Sequence, residues 1–295
     1  MIVVTAGGGS TGTAVVAALR SRGLPVRALV GSARPRPELT ALGAEVAVAD
    51  LGRPDTVAPH RRRADALYLI WPNFDPGEAE GATALLTAAR GAGTPRVVYH
   101  SVLRPSARAM PHHAAKDRVE EALDRSGLAW RVLQPCAYAD NLDAGLAEVA
   151  ATGRFRSPWG LVQPQSLVDL RDVADAAAVL LTEEGLDGGT FEAAGPEQLT
   201  APRIAELLSV RLGRRVTAVD DAPDGPVPPV DGSREQYAAH CLRRMFDHYR
   251  AYGFAGSPRV LEALLGRPAH TYAGHLAGRA DLGRPDGIAE TGGLT

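Results

Sequence analysis

Ile2-Val3-Val4-Thr5-Ala6-Gly7-Gly8-Gly9-Ser10-Thr11-Gly12, at the start of a 295-residue chain, decides the fold. A run of β-branched residues enters a glycine turn and then the alanine-rich stretch Thr13 to Arg22, which reads as strand, tight turn and helix. In such a unit Gly9 lets the backbone approach a pyrophosphate and Gly12 allows close helix-strand packing. The first amides of the helix, at Ser10, Thr11 and Gly12, face the anion. Gly7 opens the turn. Ala6 stands at the first glycine place, so the turn is made with Ala6 there or its strain moves to Gly7.

Working outward, Val- and Leu-rich runs alternate with amphipathic, alanine-rich segments to about residue 135. Strands are expected at 2–5, 26–30, 45–49, 66–70, 96–100 and 130–134. The helices between them fall at 12–22, 36–42, near 54–61, and at 78–91 and 113–126. This order predicts an α/β chain, a Rossmann-type doubly wound parallel sheet with a smaller C-terminal substrate cap. Residues 1–155 are expected to form the dinucleotide-binding domain, with 166–194 returning to it. Residues 156–280 are mostly cap and 281–295 a flexible tail. In the second half, strands are expected at 167–169 and 189–193, and helices at 173–181, 202–212, 233–252 and 257–265. The Pro- and Asp-rich stretch 220–232 reads as a surface loop.

Bulk properties narrow the function. A formal net charge of -2 leaves no electrostatic footprint for nucleic acid, and Arg61-Arg62-Arg63 reads as a solvated surface run. No leader or membrane span is legible in the sequence. Two cysteines, Cys136 and Cys241, give neither a disulfide framework nor zinc spacing, and a reducing cytoplasm is the expected compartment. No metal site is expected.

Ligands of doubly wound sheets bind just after the strands. The second strand ends in Val30-Gly31-Ser32, without the carboxylate that would bond the ribose 2'-hydroxyl of NAD. Arg34 and Arg36 follow, donors for a 2'-phosphate, so the expected cofactor is NADP(H). The competing, lesser reading is that both are surface charges of a Pro-rich loop. Asp50-Leu51, after the third strand, is placed to meet adenine. Lys116 is the only lysine in the chain, every other strong base being arginine. A compact ammonium with a tunable pKa is a different tool from a guanidinium. His112 lies four residues before it, on one helical face if the helix begins by then. Ser101 follows the fifth strand, so hydroxyl, ring and ammonium are expected to converge at the crevice. His112 and His113 are also readable as loop residues, and adjacent histidines without a third ligand make a poor metal site.

From Val3 to about Tyr272 the chain resembles the NmrA-like family of atypical short-chain dehydrogenases/reductases, including its NAD(P)H:quinone reductase-like members. The resemblance rests on the glycine loop, Val26-Arg27-Ala28-Leu29-Val30, Gly43-Ala44-Glu45-Val46, Asp50-Leu51 and the run Gly127 to Pro135. Tyr138-Ala139-Asp140-Asn141-Leu142, Asp169-Leu170-Arg171-Asp172-Val173-Ala174 and Leu265-Gly266-Arg267-Pro268 extend it. It implies a cofactor cleft that includes Ile70, Trp71, Pro72 and Pro135. It also implies a substrate pocket drawing on Asn73, His113, Tyr138, Asn141 and Trp159, suited to an aromatic or quinone-like small molecule; the aromatic residues are equally readable as ordinary core. In the wider superfamily a Ser-Tyr-Lys set does the chemistry. Ser101 and Lys116 match two places, while His112 holds the place of the tyrosine. The implied activity is hydride transfer from NADPH to a quinone, enone or carbonyl, with Lys116 holding the ribose and His112 or Ser101 handling the proton. A non-catalytic NADP(H) redox sensor binding a regulatory protein, and a redox-neutral isomerase or epimerase, are the competing readings. A homodimer is compatible with all three.

Overall fold

Each strand of the central sheet is a run of three to seven residues; in the five inner strands most are buried and the aliphatic side chains alternate between two helical layers, while the two edge strands are mostly exposed or half-buried. The computed structural model describes residues 1–61, 64–230, 232–279 and 282. In chain order come β1 (Ile2–Val4), α1 (Ser10–Ser21), β2 (Val26–Val30), α2 (Pro37–Ala41), β3 (Glu45–Val48) and α3 (Pro54–Val57). Then follow β4 (Ala66–Leu69), α4 (Glu78–Gly91), β5 (Arg96–His100), α5 (Pro111–Asp124) and β6 (Ala129–Pro135). The second half holds β7 (Ala137–Tyr138), α6 (Leu146–Thr152), β8 (Arg154–Ser157), β9 (Gln165–Val168), α7 (Leu170–Thr182) and β10 (Gly189–Ala193). It ends with β11 (Gln198–Leu199), α8 (Ala201–Leu212), β12 (Thr217–Asp220), α9 (Arg234–Tyr252), α10 (Arg259–Leu265) and α11 (Tyr272–Ala277).

The main sheet has seven strands in the order β3-β2-β1-β4-β5-β6-β10, all neighbours parallel. The order reverses between β1 and β4, and a crevice opens there at the carboxyl ends of the strands. On β1, Ile2 and Val4 pack with Val15, Val16 and Leu19 of α1 and with α7, while Val3 faces the other way into the layer of α4 and α5. Period-two alternation thus splits one strand between two cores. The sheet is one strand wider than the six-strand reading of residues 1–135, because β10 runs beside β6 from Gly189 opposite Arg131 to Ala193 opposite Pro135.

The elements missed in the sequence are short: β7, β8, β11, β12, α6 and α11. β9 lies between β11 and β7, and β8 pairs with β12 across about sixty residues of chain, a pairing that no local pattern announces. Arg61 corrects one expectation. It is buried rather than solvated, and the loss of water lowers its pKa. Its companions Arg62 and Arg63, and the expected tail apart from Leu282, lie outside the described residues. No described helix is long and apolar enough to cross a membrane. Among the described residues no three His, Cys, Asp or Glu side chains gather as a metal site, and both cysteines are free and buried.

Buried charge ties the C-terminal segment down. Asp172, at 0% exposure, accepts from Arg267 Nη1 at 2.8 Å and from the His270 amide at 2.6 Å. On α11, His275 meets Asp143 at 3.0 Å through Nε2 and Asp169 at 3.3 Å through Nδ1. Its hydrogen bond to Asp169, helped by Asp143 and opposed by burial, lifts its pKa to about 9. The unfolded imidazole titrates near 6.5, so this contribution to stability is complete below about pH 6.5 and is lost as pH rises through 9. Replacing His275 with Gln should therefore lower the melting temperature at pH 6 and close the gap to wild type by pH 10. A gap of constant size, followed by thermal melts across that range, would show that the charge contributes nothing.

Candidate active site

The turn after β1 is built by contacts that only glycine permits. A Cβ at Gly7 would lie 2.8 Å from the Ala28 Cβ of β2, and one at Gly12 would lie 2.4 Å from the Ala6 carbonyl oxygen. Ala6 itself takes the left-handed conformation, with φ of 47°, so the strain rests on Ala6 and not on Gly7. Gly9 donates to the Ala6 carbonyl at 3.1 Å and accepts from Thr13 at 2.8 Å, which starts α1. The first-turn amides of α1, at Ser10, Thr11 and Gly12, have no acceptor inside the helix, no side chain caps them, and no acid sits in that turn. This is a positive helix end open to an anion.

Arg36 reaches back over this loop. Its Nη1 donates to the Gly8 carbonyl at 3.3 Å, and a Cβ at Gly8 would lie 2.9 Å from the guanidinium carbon. Its Nε is buried and has no acceptor among the described residues. Arg34 is exposed. Asp50 turns inward on its own loop, accepting from the Gly52 amide at 3.0 Å, with Leu51 half-buried beside it. Two phosphate positions fit the donors present: the uncapped α1 amides suit a pyrophosphate, and the orphan Nε of Arg36 suits the phosphorylated ribose of NADP(H).

Across the switch point, α5 begins at Pro111, so His112 and Lys116 do share a face. Ser101, His112 and Lys116 are all buried there, but each is engaged separately. Lys116 Nζ donates to Glu78 Oε1 at 2.6 Å, and the hydroxyl of Tyr99 donates to the same oxygen at 2.8 Å. A longer contact of 3.5 Å joins Nζ to the His100 carbonyl. Ser101 Oγ donates to Glu120, whose two oxygens also accept from Gln134 Nε2 at 2.9 Å. Burial raises the Glu120 pKa. His112 lies edge-on to Phe74 at 4.9 Å, and burial, helped by His113 and Lys116, pushes its pKa down to about 2. His113 bonds the Arg104 carbonyl through Nδ1 at 3.0 Å and packs edge-on to Phe254; burial lowers its pKa to about 4. Neither ring carries charge at neutral pH.

The remaining expected site residues divide. Tyr138, following the buried Pro135, is half-buried, and its hydroxyl bonds His100 Nε2 at 2.6 Å and the side chain of Thr11. Ile70 is bound on both sides by Thr5: its amide donates to Oγ1 at 2.8 Å and its carbonyl accepts at 2.7 Å. Pro72 is half-buried, and Asn73 and Asn141 are exposed. Trp71 packs into the α4 layer, where a Cβ at Gly81 would lie 2.2 Å from the indole, so this ring fills core beside the crevice. Trp159 is buried edge-on to Phe155 at 6.0 Å. His100, Glu78 and Glu120 went unread. Strand alternation was the only signal for His100. Glu78 lies 38 residues from Lys116, beyond any local pattern.

The Lys116–Glu78 pair sets a stability test. Removing one partner leaves a buried charge alone, so Lys116→Met should cost about 3–5 kcal/mol in denaturant unfolding. Adding Glu78→Gln should recover more than half of that loss. Unchanged stability in the single variant would mean that the pair is not formed in solution.

Residues 1–224 match the model of the NmrA-like family. NAD(P)H azoreductase of Xenophilus azovorans is 29% identical over 279 residues, covering 92% of this chain and 96% of that protein. A (4-alkanoyl-5-oxo-2,5-dihydrofuran-3-yl)methyl phosphate reductase of Streptomyces griseus is 28% identical over 292 residues, covering 97% of this chain and 100% of its own. Among solved structures, the triphenylmethane reductase of Citrobacter sp. complexed with NADP(H) superposes with a TM-score of 0.82 at 21% identity, over 94% of this chain and 99% of that one. With residues 1–224, most of its length, matched by the family model, this chain belongs to the NmrA-like family.

Proposed function

We propose that this chain is an NADPH-dependent oxidoreductase that delivers hydride to a flat, conjugated small molecule: a quinone, an azo compound, an enone or an aromatic carbonyl. The observation that carries the reading is Arg36 lying over the glycine loop, with a buried Nε in need of an acceptor and no carboxylate at the end of β2. Relatives named as reductases across nearly the full length support it.

Bound NADPH supplies the hydride, and the protein supplies position and polarity. Amides of Ser10, Thr11 and Gly12 hold the pyrophosphate and Arg36 the 2'-phosphate, with Arg34 as an outer donor. Asp50 and Leu51 border the adenine; Ile70, Pro72 and Pro135 border the nicotinamide. Lys116 keeps one ammonium proton beyond those given to Glu78 and the His100 carbonyl, and the ribose is the partner assigned to it. Of the two groups expected to handle the proton, Ser101 gives its hydrogen to Glu120, and His112 is uncharged against Phe74. Tyr138 offers aromatic surface to a planar substrate, with Asn73 and Asn141 at the rim, while the buried His113 and Trp159 back the pocket through Phe254 and Phe155 rather than face it.

Purified protein given NADPH with menadione or methyl red should consume nicotinamide absorbance in step with formation of reduced product. NADPH binding without consumption by any acceptor would favour the sensor reading, and product formed without net loss of NADPH the isomerase reading. Arg36→Ala should weaken NADPH about tenfold or more, the worth of a charge-assisted hydrogen bond, and NADH far less. Equal losses for both dinucleotides, measured by fluorescence titration, would remove Arg36 from the 2'-phosphate.

A further inference from the structure

Three rings join β4, β5 and β7 in a line that leads to the glycine turn. Tyr68, fully buried, has one hydroxyl contact among the described residues, His100 Nδ1 at 2.7 Å. The other nitrogen of that imidazole, Nε2, lies 2.6 Å from the hydroxyl of Tyr138, which also meets Thr11 at the start of α1. His100 is 6% exposed, and burial, with Lys116 nearby, holds its pKa down at about 3, so it is neutral with one ring proton.

The placement of that proton follows from the dead end at Tyr68. Were it on Nδ1, it would point at the Tyr68 oxygen and leave the phenol proton buried with no acceptor, at a cost of about 1–3 kcal/mol. With Tyr68 donating to Nδ1, the ring proton sits on Nε2 and donates to the Tyr138 oxygen, and every hydrogen in the line has an acceptor. The hydroxyl proton of Tyr138 is thereby turned away from His100 and is free for an acceptor in the crevice, while the side chain of Thr11 donates to the same phenol oxygen.

We infer that Tyr138 is the proton donor to the acceptor being reduced, and that His100, oriented by Tyr68, is the positioning residue that aims it. This rests on the reductase reading. A neutral acceptor takes up hydride at one atom of its conjugated system, and an electron pair moves to an oxygen or nitrogen. That atom takes the proton of Tyr138; the bonding pair stays on the phenol oxygen, where His100 Nε2–H stabilises it. The half-exposed phenolate regains a proton from water once product has left. A triarylmethyl cation needs hydride alone, because its positive charge is quenched without any proton.

The two acceptor classes supply the test, run on the full chain with NADPH and with menadione or crystal violet. Tyr138→Phe should lower kcat with menadione about a hundredfold, the scale of a general acid, with KM and the NADPH Kd within about threefold. The ratio of menadione to crystal violet turnover should fall by a similar factor. His100→Leu should lower the same ratio, and His100→Gln, which returns an N–H near the Nε2 position, should recover part of it. Tyr68→Phe, which removes only a buried hydroxyl, should move the ratio the same way by a smaller factor and serves if Tyr138→Phe folds poorly. An unchanged ratio in Tyr138→Phe would overturn the inference and leave the reductase reading standing. Wild-type protein that binds NADPH yet reduces neither menadione, methyl red nor crystal violet would overturn the reductase reading, and this inference with it.

Discussion

A side chain at residue 12 would meet the Ala6 carbonyl oxygen at 2.4 Å, and the crevice depends on the absence of one. That contact lets the first turn of α1 sit against the end of β1, so that its free amides open at the point where the sheet order reverses. Gly7 does the same against β2. Close packing of a helix end on two strands leaves Ala6 as the residue that absorbs the turn, in a conformation that costs a non-glycine residue roughly 1–2 kcal/mol. The rest of the α1 layer, from Val15 to Leu19, is held in place by burial against β1, β2 and α7.

On the opposite side of the switch point the organising device is buried polarity. Glu78 collects Lys116 and Tyr99, and Glu120 collects Ser101 and Gln134, so α4, α5, β5 and β6 are joined by hydrogen bonds to two carboxylates. Such groups are tolerated inside only when paired. One consequence is geometric: the hydroxyl and ammonium of the superfamily pattern are turned towards the α4–α5 layer, while His100, the next residue along β5 from Tyr99, faces Tyr68 and Tyr138 on the other side. Alternation along a strand thus separates two polar systems one residue apart, one joining β5 to α4 and α5 and the other joining it to β4 and β7.

Much of the site was legible because its logic is local. The glycines, the missing acid after β2 and the spacing of His112 and Lys116 are read within a few residues, and the helix start at Pro111 puts the latter two on one face. What escaped is joined across long separations: Lys116 with Glu78, His100 with Tyr68 and Tyr138, β8 with β12. Trp71 shows the limit clearly. Its position after β4 is evident in the sequence, but the direction of its ring is set by the gap at Gly81 on another element.

By itself, then, the amino-acid sequence determined the parallel doubly wound layers, the turn that presents helix amides, and a second strand suited to a phosphorylated ribose. Those features follow from periodicity, glycine sterics and the sign of nearby charge, all of which act over short stretches of chain. Only the tertiary structure decided which partner each polar side chain keeps. Desolvation makes an unpaired buried group costly, and the partners that meet this demand come from strands and helices tens of residues apart.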